Sequence, residues 1–276
     1  MRMNSDDKMQ RRGVLTRAMI AGALAGALVM VAGQGVVMPL LAAAGQGAKQ
    51  SEPGPEFADQ VRSVLLSNPE VVLEVFALLE RQEKEKQTAG ARAAVEAEAA
   101  ALFQGADARK GNASAPIVAV EFFDYQCGYC KGALPELAAA LSGRNDVAVV
   151  MKEFPILGST SEAAARLALA VRAEHGDEAY LGFHNALLSH KGGLNEAALS
   201  ILAGAAGYDY PALVARGRQD DITSIIDGNR RLAQALAISG TPAFVFRDGE
   251  VVPGMMAADR LTAAFDRLSA SVAAPR

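Results

Sequence analysis

Residues 120–137 read Val-Glu-Phe-Phe-Asp-Tyr-Gln-Cys-Gly-Tyr-Cys-Lys-Gly-Ala-Leu-Pro-Glu-Leu, and they hold Cys127 and Cys130, the 2 cysteines of a 276-residue chain. The stretch joins two different hydrophobic periods. Before it, residues 117–123 are a nearly continuous apolar run, rich in β-branched and aromatic side chains, as expected of a strand buried on both faces. After it, Leu134, Leu137 and Leu141 recur at helical spacing, which predicts an amphipathic helix over residues 130–141. Residues 147–151 (Val-Ala-Val-Val-Met) read as a second buried strand. Strand, helix and strand within this length predict a right-handed βαβ unit with parallel strands.

Downstream, residues 161–238 are helical in pattern. An Ala-rich helix starts at Ser161-Glu162, another covers residues 180–189, a third is capped by Asn195, and a fourth covers residues 221–237. Residues 243–246 and 250–252 flank Asp248-Gly249 and predict a hairpin with a tight turn. A last helix covers residues 259–271. Removing the helical block leaves a four-stranded α/β sheet of the thioredoxin type. Phe122, Phe123, Phe154 and Phe244 are expected in its core, and His175, His184 and His190 on helix surfaces.

The thiols sit where the first buried strand gives way to a helix. Residues i and i+3 share a helix face, so the sulfurs can reach disulfide distance. Unpaired N–H groups and positive potential at the helix start favour a thiolate at Cys127, the species that attacks a disulfide. Cys130 would then attack Cys127 and release the captured thiol. A purely structural disulfide gains little, since so small a loop removes little unfolded-state entropy. A zinc site within one chain lacks ligands, because the histidines lie far off in sequence and only one cysteine pair exists. Binding of Cu(I) by the two thiolates stands as an alternative use.

The N-terminal part has a different character. Arg2, Lys8, Arg11, Arg12 and Arg17 precede a 28-residue run, residues 18–45, without a charged side chain. That run is long enough to cross a hydrocarbon core, with residues 1–17 in the cytoplasm and the rest exported. A cleaved signal is the competing reading, with Ala42-Ala43-Ala44 as acceptable small residues. Gly47, Pro53, Gly54 and Pro55 mark a linker. Two helices follow: a short one with Phe57, Val61, Val64 and Leu65 on one side, and a longer one over residues 69–103, started by Asn68-Pro69-Glu70. Val72, Val75, Phe76 and Leu79 form an apolar stripe that must bury against another copy, giving a stalk, or against the chain's own C-terminal domain. A net charge of −4 and a pI near 5.5 argue against a nucleic-acid partner.

The segments Glu-Phe-Phe-Asp-Tyr-Gln-Cys-Gly-Tyr-Cys (121–130), Lys-Glu-Phe-Pro-Ile-Leu-Gly (152–158) and Gly-Thr-Pro-Ala-Phe-Val-Phe (240–246) together resemble the DsbA-like thioredoxin-fold proteins of the bacterial periplasm, over roughly residues 116–268. Residues 65–80 are similar to the ScsC-like (suppressor of copper sensitivity protein C) subgroup, some members of which are trimeric isomerases on an N-terminal stalk. The resemblance implies that Thr241-Pro242 is a cis-proline loop offering backbone groups to a substrate strand. It also implies that Glu121 moves protons beneath the cysteines; a salt bridge from Glu121 to Lys152 is the other reading of that buried carboxylate. Gly128-Tyr129 resembles the dipeptide of disulfide isomerases, and Tyr129 is a candidate substrate contact.

The expectation is therefore an α/β thioredoxin fold over residues 105–276 with a helical insertion at about 158–220, preceded by a linker and oligomerisation stalk (46–104) and a transmembrane or signal segment (18–45). The expected function is a periplasmic thiol–disulfide oxidoreductase, preferably an isomerase or reductase, acting on exported cysteine-containing proteins. It would be anchored in the inner membrane or released by signal cleavage, and would need no cofactor or metal beyond its own Cys127–Cys130 disulfide. A membrane redox partner and a homo-oligomer, as in a trimer, are further expectations. A monomeric oxidant is the alternative within the same chemistry.

Overall fold

The computed structural model describes residues 54–273. The expected membrane or signal segment, and the start of the linker, lie outside them. Two helices come first: α1 (Pro55–Ser67) and α2 (Pro69–Ala97), followed by the single turn α3 (Ala99–Phe103). Contacts divide the chain after Arg62, so the first unit contributes only the start of α1 to the described residues. Asn68 does not cap α2 with its side chain. Its Nδ2 donates backward to Val64 O at 2.8 Å, so it serves the end of α1 instead. The expected continuous helix also breaks at Glu98, which leaves the helical region of φ/ψ.

Five strands form one sheet, β1 (Arg109–Gly111), β2 (Ile117–Phe123), β3 (Val147–Glu153), β4 (Ala243–Phe246) and β5 (Val251–Pro253), in the order β1-β3-β2-β4-β5. β2 and β3 are parallel, with Ile117 opposite Val147 and Phe123 opposite Glu153. The other three pairings are antiparallel. Four of the strands are those expected. β1 is an addition: its three residues Arg-Lys-Gly carry no apolar alternation, and it forms because β3 offers a free edge.

The helix α4 (Gly128–Leu141) connects β2 to β3. The insertion follows: α5 (Ser159–Ser189), α6 (Glu196–Ala205) and α7 (Tyr210–Gly217). Gly176 breaks α5 with φ 84° and ψ −178°, which accounts for the two helical runs read in the sequence. Asn195 caps α6 as expected, its side chain accepting from Ala198 N. The helix α7 was not foreseen, although Asp209 caps it and Pro211 stands in its first turn. The helices α8 (Asp220–Ala235) and α9 (Ala258–Ala273) complete the chain.

The alternation of β2 sorts its side chains onto two cores. Ala119 and Phe123 face α4, α5 and α9, with Leu137, Leu167, Phe183 and Phe265. Val118, Val120 and Phe122 face α3 and α8, with Leu102, Phe103, Leu232 and Leu236. All four phenylalanines expected in the core are buried. Val95, near the end of α2, joins the second core, and Arg92 lies against Gly249, whose φ of +89° makes the hairpin turn. The α2 residues from Val71 to Leu79 have no such partner among the described residues: Leu73, Val75, Phe76, Leu78 and Leu79 are exposed.

Candidate active site

The last buried residue of β2, Phe123, is followed by a turn that Asp124 holds. Its backbone carbonyl accepts Cys127 N at 3.1 Å. Its carboxylate is buried and accepts from Gln126 N (2.7 Å), Ser161 Oγ (2.7 Å), Ile156 N (2.8 Å) and Leu157 N (3.0 Å). One side chain thus joins the thiol loop, the turn after β3 and the start of α5. The sequence carries no signal for this role of Asp124, because Ile156, Leu157 and Ser161 are brought to its carboxylate only by the fold.

Cys127 is the N-cap residue of α4, with φ −74° and ψ 117°. Its thiol does not cap the helix; Sγ–H donates to the carbonyl of Thr241 at 3.2 Å. The Thr241–Pro242 peptide is cis, as the resemblance implied, and Pro242 O accepts Gly254 N at 2.8 Å, tying the loop to the end of β5. Cys127 is 7% exposed and Cys130 0%, and both are free thiols. Burial pushes the Cys130 thiol well above its ordinary value. Hydrogen bonds with the Asp124 backbone and the Thr241 side chain oppose that shift, while the charges of Cys127 and Glu121 add to it. Gly128 is exposed and Tyr129 is 70% exposed, so the dipeptide between the thiols faces solvent.

Glu121 stands in the middle of β2, between Met151 on β3 and Phe244 on β4, and is 4% exposed. Burial raises its pKa to about 7, with the Lys110 ammonium pulling the other way. The salt bridge considered for it does not form. Lys152 pairs across the strands with Phe122, whose side chain lies on the opposite face of the sheet from that of Glu121. Lys152 Nζ instead meets Asp107 Oδ2 at 2.6 Å and Ala101 O at 3.1 Å. Lys110, on β1, is the cation nearest in effect to Glu121, and its Nζ donates to Asn185 Oδ1 at 3.0 Å.

A second buried polar group borders the site. Glu153 Oε1 accepts from Tyr125 OH at 2.7 Å and Tyr180 OH at 2.9 Å, while Oε2 has no partner among the described residues. Burial raises this carboxyl to about 8, against the two tyrosine hydrogen bonds. Tyr125 OH also lies 3.2 Å from His184 Nδ1. His184 is 1% exposed rather than on a helix surface, and burial lowers its pKa to about 3, so it is neutral. The expectation failed because α5 is covered on more than one side, by the sheet and by the later helices.

A Cys-x-x-Cys pair at the junction of a strand and a helix in a βαβ unit defines a thioredoxin-like redox protein. The family model described as DSBA-like thioredoxin domain matches residues 118–266. The chain belongs to that DsbA-like family of thiol–disulfide oxidoreductases. A structure of ScsC from Proteus mirabilis in a compact conformation is similar, at 30% identity and a TM-score of 0.59, over 80% of this chain and 100% of that one. This agrees with the ScsC-like resemblance. A thioredoxin-like oxidoreductase from Silicibacter pomeroyi DSS-3 is 37% identical, with a TM-score of 0.59, over 63% of this chain and 98% of that chain. A curated relative, the Na(+)/H(+) antiporter NhaA 1 of Salinispora arenicola, is 29% identical over 160 residues. That match takes in 56% of this chain and 24% of the antiporter, so the chain spans about a quarter of that relative's length.

Proposed function

We propose that this protein faces the periplasm and isomerises or reduces disulfides in exported proteins. Cys127 is the nucleophile, Cys130 the resolving thiol, Glu121 the proton acceptor and Thr241-Pro242 the platform for a substrate strand. The observation that carries the reading is the Cys127 thiol at the start of α4 in contact with the carbonyl of Thr241, 114 residues away in sequence.

The Cys127 thiolate attacks one sulfur of a substrate disulfide. A mixed disulfide forms, and the other substrate sulfur leaves as a thiolate that takes a proton from water. In isomerisation a second substrate thiolate attacks the mixed disulfide, a new substrate disulfide forms, and Cys127 is returned as thiolate with no net electron transfer. In reduction Cys130 loses its proton to Glu121 and attacks Cys127 Sγ. The substrate leaves with two thiols, and the protein keeps the two-electron oxidised pair. Burial keeps Cys130 protonated, so this step needs a base, and a buried carboxyl titrating at about 7 fits the need at neutral pH. A membrane-bound reductant would restore the thiols.

The location rests on the basic tail and apolar run of residues 1–45. Among the described residues no single helix is long and apolar enough to cross a membrane. Association through α1 and α2 is supported by the exposed apolar residues from Val71 to Leu79, which a second and third copy would cover. Light scattering combined with reactivation of scrambled ribonuclease by the reduced protein tests the reading. The expected result is an oligomer that restores ribonuclease activity and a Cys127→Ala variant that does not. A monomer without reactivation would overturn isomerisation and leave the oxidant role.

A further inference from the structure

The residues on either side of the Cys127–Cys130 motif both reach the same loop of the insertion. Gln126 Nε2 donates to Leu194 O at 3.2 Å, and Leu194 N donates back to Gln126 Oε1 at 3.1 Å. The side-chain amide therefore acts as a peptide group, pairing in both directions as a strand residue would. On the other side, Lys131 Nζ donates to His190 O and Gly192 O, each at 3.0 Å. Gly192 turns the loop with φ +100°. Leu194 is buried and anchors the loop, while Lys191, Gly192 and Gly193 are exposed. Gln126 is itself held, since its backbone N–H donates to Asp124 Oδ1.

We propose that Gln126, seconded by Lys131, is a positioning residue that fixes the exposed 191–193 loop beside Cys127 as one wall of the polypeptide-binding cleft. The inference rests on the exchange reading above. A protein disulfide seated on Cys127 extends past Tyr129 and runs onto this loop. A small disulfide reaches the sulfur without touching it. The loop thus reads substrate size and backbone, and the thiols supply the chemistry to both kinds of substrate. Glutamate cannot replace Gln126: its carboxylate would still accept Leu194 N but would face the Leu194 carbonyl with no proton to donate.

The test compares two substrates, a disulfide-bonded decapeptide and oxidised glutathione. Losing two neutral hydrogen bonds, in part replaced by water, predicts a KM for the peptide raised about tenfold in Gln126→Ala, with kcat within about twofold. The glutathione rate and the reduction potential should stay at wild-type values. Gln126→Glu should behave as Gln126→Ala, and Lys131→Met should raise the peptide KM in the same sense. Hydrogen exchange at the Leu194 amide should accelerate in Gln126→Ala, which removes its acceptor. An unchanged peptide KM, or an equal loss on both substrates, would refute the role of Gln126. Wild-type protein inert toward both disulfides would instead refute the exchange reading itself.

Discussion

Cys127 Sγ and the carbonyl of Thr241 meet at 3.2 Å, although β2 and α4 carry one and the loop before β4 the other. The contact puts the more exposed of the two cysteines against the loop proposed above as the platform for a substrate strand. Cys130 is fully buried, and in the proposed exchange its target is Cys127 Sγ once that sulfur is held in a mixed disulfide. Cys130→Ala should therefore accumulate mixed disulfides with substrate proteins, visible as bands on non-reducing gels that thiols remove. Cys127→Ala should form none and should lower exchange by on the order of a thousandfold or more. Mixed disulfides through Cys130 in the Cys127 variant would reverse the assignment of roles.

The proton-acceptor role proposed for Glu121 would set a pH dependence on the step assigned to Cys130. With its pKa at about 7, the carboxylate is the minority form below neutrality and the majority form above it. Formation of the Cys127–Cys130 disulfide from the mixed disulfide should quicken as pH rises through about 7 and then level off. In Glu121→Gln that inflection should vanish and the step should slow by about a hundredfold. Stopped-flow measurement of release from a preformed mixed disulfide reports it directly. An unchanged inflection in the Gln variant would remove Glu121 from the mechanism.

Much of this could be read from the chain, because β2 and β3 are buried on both faces and their apolar runs are unbroken. The thiols were placed correctly for the same reason: a strand ends and a helix begins between Phe123 and Gly128. The polar partners were harder to read. Lys152 was considered for Glu121 because the two lie on adjacent strands. The pairing register puts them on opposite faces, and register is a tertiary property. Asp124 and Gln126 gave no signal at all, since each works through backbone groups more than thirty residues away. β1 formed without any apolar pattern because its neighbour was ready-made. The cis peptide at Thr241 followed from the family resemblance and not from physics.

Glu121 and Glu153 also shape stability. Each has a folded pKa above its unfolded value of about 4.5, at about 7 and about 8, so each stabilises the fold fully below pH 4.5 and loses that contribution as pH rises through its folded pKa. His184 acts oppositely: its pKa is lowered to about 3, so its contribution is present above 6.5 and lost as pH falls toward 3. Between 4.5 and 6.5 the two acids outweigh the one histidine. Taken together the three groups predict greatest stability near pH 5 and a fall of a few kcal/mol by pH 8. Urea unfolding at pH 5 and pH 8 measures the difference. Glu153→Gln, neutral at every pH, should flatten it, staying close to wild type at pH 5 and exceeding wild-type stability above pH 8.

The hydroxyls around Glu153 give a test at a single pH. Tyr125→Phe removes a donor to Oε1 and the contact with His184, while Tyr180→Phe removes only a donor. Both leave the ring packing in place. With Oε2 already unpartnered, each loss strips a buried carboxyl further, and each should cost about 1–2 kcal/mol, Tyr125 the more. For a domain of this size that is a fall in Tm of about 2–8 °C. The double variant should cost more than the sum, because the carboxyl then has no donor to either oxygen among its described partners. Strict additivity in a thermal-unfolding cycle would show that the two hydroxyls do not share Glu153.

The buried ion pair on the opposite face of the sheet should behave asymmetrically. Lys152 is 3% exposed and donates to Asp107 and to the Ala101 carbonyl. Asp107→Ala leaves a buried ammonium with one carbonyl for company, and removing one partner of such a pair costs about 3–5 kcal/mol. Lys152→Met removes the buried charge itself and fills the same space. Asp107 is nearer to solvent and can rehydrate, so this variant should cost less, about 1–2 kcal/mol. Neither residue touches the thiols, so exchange rates per folded molecule should stay at wild-type values in both. A Lys152→Met variant less stable than Asp107→Ala would mean that the ammonium, and not its desolvation, dominates the balance at this site.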